Sequence, residues 1–156
     1  MSKTTISCHV CDTSFKLKET DPAVTVCACC GTDLANPSLE TRQDKINCDF
    51  AKNFFSLWPG TLYLTNRRLF WIKSGISPLV TVSLGGGLAQ GLAAGIANAG
   101  AGQAQVNIML DNLSGIEDSR KGLRTGITLH TRSGESYKFI ASKLKDWKDL
   151  LAPYTT

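Results

Sequence analysis

Five of the six cysteines of this 156-residue chain lie between positions 8 and 30, and their spacing constrains the fold more than any other feature. Cys8-x-x-Cys11 and Cys27-x-x-Cys30 are separated by fifteen residues, the interval of a four-thiolate metal site. Two cysteines three positions apart turn both sulfurs inward on a tight knuckle, and two knuckles complete a tetrahedron. Gly31 follows the last sulfur, where a knuckle favours a residue that accepts positive φ. Residues 1–7 (MSKTTIS) hold one lysine and no apolar run, so the expectation is a protein kept in a reducing, cytoplasmic compartment, with thiols rather than disulfides.

Residues 1–36 resemble a zinc ribbon, with short β-segments expected at 13–18 and 23–26 around the Asp21-Pro22 turn. Two departures from the common pattern stand out. Asp12 occupies the place of the usual glycine after Cys11, and Cys29 adds a thiol inside the second knuckle. The ligand set is read as Cys8, Cys11, Cys27 and Cys30, with a slipped choice involving Cys29 left open. Four thiolates leave no vacant coordination position, so the ion, zinc or alternatively iron, is expected to be structural. A redox dithiol and a disulfide framework are the competing readings, and His9 reads as a surface residue. A segment this short buries little apolar surface, so metal binding is expected to supply much of its folding energy.

Beyond a turn-rich stretch at 31–40, residues 37–156 alternate in the strand manner. Strands are expected at 46–55, 61–65, 68–73, 79–84, 126–132 and 136–141, with strand pieces at 105–110 and 113–118 around Asp111-Asn112. In 142–151 the period changes: Leu144, Trp147, Leu150 and Leu151 fall on one helical face, with Ser142 as N-cap. The fold class predicted is mainly β, a curved antiparallel sheet of about seven strands plugged at its open end by a C-terminal helix through Trp147. Residues 60–71 (GTLYLTNRRLFW), 108–118 (IMLDNLSGIED), the hairpin ending at 137–140 and the Asp146-Trp147 helix resemble GRAM domains and related bacterial pleckstrin-homology-like domains. The resemblance covers most of 44–154. It implies a pleckstrin-homology-like barrel that associates with membranes or proteins without catalysis, although this superfold hosts many functions.

Charge narrows the partners. Residues 1–36 carry three basic and four acidic side chains, whereas 37–156 carry fourteen and nine. That balance suits an anionic membrane surface or a protein partner and makes nucleic acid unlikely, because the ribbon is itself acidic. A nucleic-acid-binding zinc ribbon is the alternative reading. Lys52, Arg67, Arg68 and Lys73, on or near the first strands, are the candidate ligand-binding cations, against the reading of Arg67 and Arg68 as solvated turn residues. Neither His9 and His130 nor Cys29 and Cys48 sit in a catalytic pattern, so the chain is expected not to be an enzyme.

From Ser74 to Leu110 there is no charged residue. Within this run, 84–105 holds seven glycines and seven alanines, with Gly87, Gly91, Gly95 and Ala99 at every fourth position. Such a stripe would let another helix approach closely. Three readings stand for it: a low-complexity loop, a helix packed on the barrel or on a second copy in a homo-oligomer, and an interfacial or re-entrant element that touches lipid and holds the protein, as a peripheral one, at a membrane.

Overall fold

The computed structural model describes residues 3–18, 23–74 and 104–156. The expected strand at 79–84 and the stripe Gly87, Gly91, Gly95 and Ala99 lie outside them. Among the described residues the strands form two antiparallel sheets. The first is the pair β1 (Lys3–Ser7) and β2 (Ser14–Lys18), joined through the first cysteine knuckle. The second has seven strands: β3 (Arg42–Ala51), β4 (Leu57–Thr65), β5 (Arg68–Lys73), β6 (Ala104–Met109), β7 (Leu113–Lys121), β8 (Arg124–Thr131) and β9 (Ser136–Ile140). Residues 23–26 form no strand; their only ladder contact is a bridge from Val26 to Asp33. β1 takes the place expected there.

The order of the large sheet is β6-β5-β4-β3-β9-β8-β7. Four strands meander one way and three the other, and the halves meet where Asp49, Phe50 and Ala51 of β3 pair with Ile140, Phe139 and Lys138 of β9. This arrangement, followed by a C-terminal helical segment, is pleckstrin-homology-like. The sheet is open rather than a closed barrel: no pairing joins its end strands β6 and β7 among the described residues. Only the 3-10 turn Leu110–Asn112 separates them. It buries Leu110 and turns the chain a corner instead of folding it back as a hairpin.

The helical segment runs through a 3-10 turn (Ser142–Asp146), α1 (Trp147–Leu151) and a second 3-10 turn (Ala152–Tyr154). Leu144, Trp147 and Leu151 enter the core with Leu62, Leu64, Leu69, Trp71, Ile127, Leu129 and Phe139. The Trp147 indole Nε1 donates to Asp44 Oδ2 at 2.8 Å, which satisfies its one polar atom at the rim. Two expectations fail locally. Leu150 is half exposed, because at about 100° per residue it lies at the edge of the face that Leu144 and Leu151 centre. Ser142 makes no capping bond, and Ala141 is the N-cap.

The β4–β5 hairpin is buried on both faces. Leu62, Leu64, Leu69 and Trp71 point into the main core. Tyr63 and Phe70, stacked with ring centroids 4.9 Å apart, point the other way and pack on the cysteine module. Gly60 permits the close approach at the hairpin's start: a Cβ there would collide with the Ile72 carbonyl and the Trp71 ring.

Candidate metal centre and cationic end

The two knuckles are built on one plan. In the first, Cys8 N donates to Thr13 O at 2.8 Å and Asp12 N to Cys8 O at 3.0 Å. In the second, Cys27 N donates to Thr32 O at 2.8 Å and Gly31 N to Cys27 O at 2.8 Å. The left-handed positions are Asp12 (φ 62°) and Gly31 (φ 75°). Aspartate tolerates that conformation better than most side chains, and here its carboxylate also meets Lys45 Nζ at 2.9 Å and Arg42. Its departure from glycine is therefore accommodated in place.

Cys8, Cys11, Cys27 and Cys30 are all buried, and their sulfurs lie within 4.8 Å of one another. Cys8 and Cys30 Sγ are 3.7 Å apart, Cys11 and Cys27 Sγ 3.6 Å. A tetrahedron about 2.3 Å from centre to sulfur has edges of about 3.8 Å, so the spacing fits a four-thiolate ion. Packed thiols cannot all ionise together. Donation from Cys11, Cys27 and Cys30 holds the Cys8 thiol far below its usual range, while the same contacts, led by that with Cys11, push Cys27 up. A bound cation would remove that conflict by taking all four as thiolates. Thr13 Oγ1 lies 3.1 Å from Cys11 Sγ, and Thr32 Oγ1 lies 3.0 Å from Cys30 Sγ. Each hydroxyl can donate to a coordinated sulfur. The sequence reading missed these two threonines, although Cys-x-x-Cys-x-Thr occurs twice. Cys29 is buried beside the cluster but outside the tetrahedral set. Cys48 belongs to the main core, where burial pushes its thiol up to about 12.

The four cations proposed from sequence part company. Arg67 is exposed in the β4–β5 turn. Arg68 is buried, so its charge faces inward and not toward a ligand. Its Nε donates to Glu40 Oε1 at 2.7 Å, its Nη2 to the Cys30 carbonyl at 2.7 Å, and its guanidinium stacks on Phe70. Glu40 also accepts from Thr65, and its Oε2 lies 3.3 Å from Thr32 Oγ1, whose one proton is shared between this carboxylate and the Cys30 sulfur. Arg68 and Glu40 thus join the second knuckle to the hairpin. On the other side His9 Nε2 is 2.7 Å from the Glu40 carbonyl oxygen, and Arg42 donates to the Val10 carbonyl at 3.0 Å.

Lys52 and Lys73 do converge. Their ammoniums lie 4.4 and 4.3 Å from the Trp58 ring centroid, a cation–π arrangement at the end of the sheet carrying the β3–β4 loop. A cleft runs from Phe54 in that loop to Arg120, Lys121 and Lys138 of β7 and β9. Lys121 Nζ is buried with no hydrogen-bond partner among the described residues. None of these five cations has an ion-pair partner among the described residues. Sequence could not show either group, because Lys73 reaches Trp58, and Arg120, Lys121 and Lys138 reach the cleft, only through the strand order.

No known protein family matches the chain, and no curated protein matches it. Among solved structures, it is similar to the C-terminal domain of an unknown protein from Leishmania infantum, at 17% identity and a TM-score of 0.48, over 78% of this chain and 93% of that one. It is also similar to the DH/PH domains of p115-RhoGEF, at 8% identity and a TM-score of 0.49, over 78% of this chain and 32% of that one. Likeness at this level assigns no function. The pleckstrin-homology-like description rests on the strand order and the C-terminal segment.

Proposed function

We propose that this protein is a non-enzymatic, zinc-stabilised module of GRAM-like type that docks on anionic membrane surfaces. The observation that carries the reading is the convergence of Lys52 and Lys73 on Trp58, with Arg120, Lys121 and Lys138 lining a cleft along the same β3–β4 loop, none of them with a carboxylate partner among the described residues. Uncompensated cations gathered at one end attract an anionic surface through summed, salt-sensitive attraction. The cysteine module has a supporting role: zinc held by Cys8, Cys11, Cys27 and Cys30 keeps the knuckles formed, and Arg68 and Glu40 lock them against β4–β5. Zinc is favoured over iron because it makes no redox demand on a buried structural site. Among the described residues no helix is long and apolar enough to cross a membrane, so the association meant here is peripheral.

Co-sedimentation with phosphatidylcholine vesicles, with and without phosphatidylserine, tests the reading. Binding to the anionic vesicles at low salt is expected, with Lys52→Glu/Lys73→Glu weakening it at least about tenfold by reversing two charges. Equal partitioning to neutral and anionic vesicles, or none to either, would overturn it.

A further inference from the structure

The same end of the molecule presents apolar side chains that no core accounts for. Phe54 is 84% exposed, Phe55 89% and Leu123 fully exposed. The two phenyl rings meet edge to face, centroids 5.2 Å apart at 82°. Their loop is braced from within: Asn53 Oδ1 accepts from Phe55 N at 3.0 Å and Ser56 N at 2.8 Å. Leu123 stands at the tip of the β7–β8 turn, next to Gly122 with its positive φ of 61°. Both tips border the cleft that holds Arg120, Lys121 and Lys138.

We infer that Phe54, Phe55 and Leu123 form an apolar foot that enters the headgroup–acyl boundary of an anionic bilayer, with the surrounding ammoniums left at the phosphate level. This rests on the membrane reading above and adds to it a depth and an orientation. A partner made only of charge would leave three large apolar side chains in water. A purely apolar partner would leave five cations unpaired and would have to desolvate them. An anionic lipid interface satisfies both layers, apolar below and phosphate above, and phenylalanine and leucine are side chains that interfacial elements bury at that boundary. The Asn53 turn lowers the ordering cost, since the rings are already presented together. Lys121, without an acceptor among the described residues, gains one when a lipid phosphate enters the cleft.

The test uses the full chain with zinc bound. Phe55→Trp places a reporter at the tip, read as the difference from a wild type that already carries Trp58, Trp71 and Trp147. With phosphatidylserine-containing vesicles its added emission should shift to the blue and be quenched by lipids brominated near the glycerol end of the chain. Phe54→Ser/Phe55→Ser should keep its thermal unfolding, because both side chains are exposed. It should lose the binding that survives about 0.5 M salt, where exposed charges are screened, by roughly tenfold or more. An unshifted, unquenched tryptophan together with intact co-sedimentation overturns the foot and leaves the electrostatic reading standing. Failure of the wild type to bind at low salt overturns both. Dimerisation without lipid that the double variant abolishes also overturns the foot, by assigning the tips to a second copy.

Discussion

Arg68 shows how one side chain changes meaning once its surroundings are known. In sequence it is one of two adjacent arginines in a turn. In the fold it is 9% exposed and paired with Glu40 between two structural units. Arg68→Met would leave Glu40 buried without its counter-charge, and a loss of about 3 kcal/mol is expected. Adding Glu40→Gln should restore part of that, and a double-mutant cycle by urea unfolding measures the coupling. The pair also sets a pH dependence. Burial pushes the Glu40 carboxyl up, but the Arg68 hydrogen bond and charge outweigh it and hold it below its ordinary 4.5. A carboxyl depressed on folding adds stability that is present above its unfolded value and lost as pH falls through the folded one. Thermal unfolding of the wild type should therefore drop below about pH 4.5, with a shallower drop in Glu40→Gln.

At the scale of elements, the β4–β5 hairpin organises the molecule, because both of its faces are covered. Alternation in 61–65 and 68–73 makes two strands legible without a structure, and β5 runs over the residues expected of it. What alternation hides is that the outward residues Tyr63, Arg68 and Phe70 are buried as well. Gly60 depends on this packing. Gly60→Ala would drive a methyl into the Ile72 carbonyl and the Trp71 indole, and a cost of about 1–3 kcal/mol is expected from overpacking. Differential scanning calorimetry would read it as a lower midpoint with the metal content unchanged. The C-terminal segment was legible for a different reason. The spacing of Leu144, Trp147 and Leu151 is a local periodicity, and Leu150, at the edge of that face, stays half exposed.

At the scale of the whole molecule, the four-cysteine cluster and the large sheet share a boundary, so the occupancy of one should be felt by the other. Removing the ion with a strong chelator leaves four buried thiols in mutual conflict. The knuckles should open and uncover the Tyr63–Phe70 face, while the core around Leu62, Trp71 and Phe139 persists. Hydrogen exchange should rise across residues 8–34 and along the outer face of β4–β5, far less in β7–β9. Uniform protection before and after chelation would contradict this, as would a native mass without one ion per chain. Cys8→Ser should reproduce the chelated pattern.

The sequence by itself determined what depends on near neighbours: four cysteines on two knuckles, alternating strands, a helical turn carrying Trp147. These follow from spacings of two to four residues, which backbone geometry converts directly into shared faces. Only the tertiary structure decided that Arg68 faces a buried carboxylate, that Lys52 and Lys73 meet on one indole, and that Phe54 and Leu123 stand at one end. Those pairings join residues 21 to 69 positions apart. Their meeting is set by which strands lie side by side and which face is covered, and no local periodicity records that.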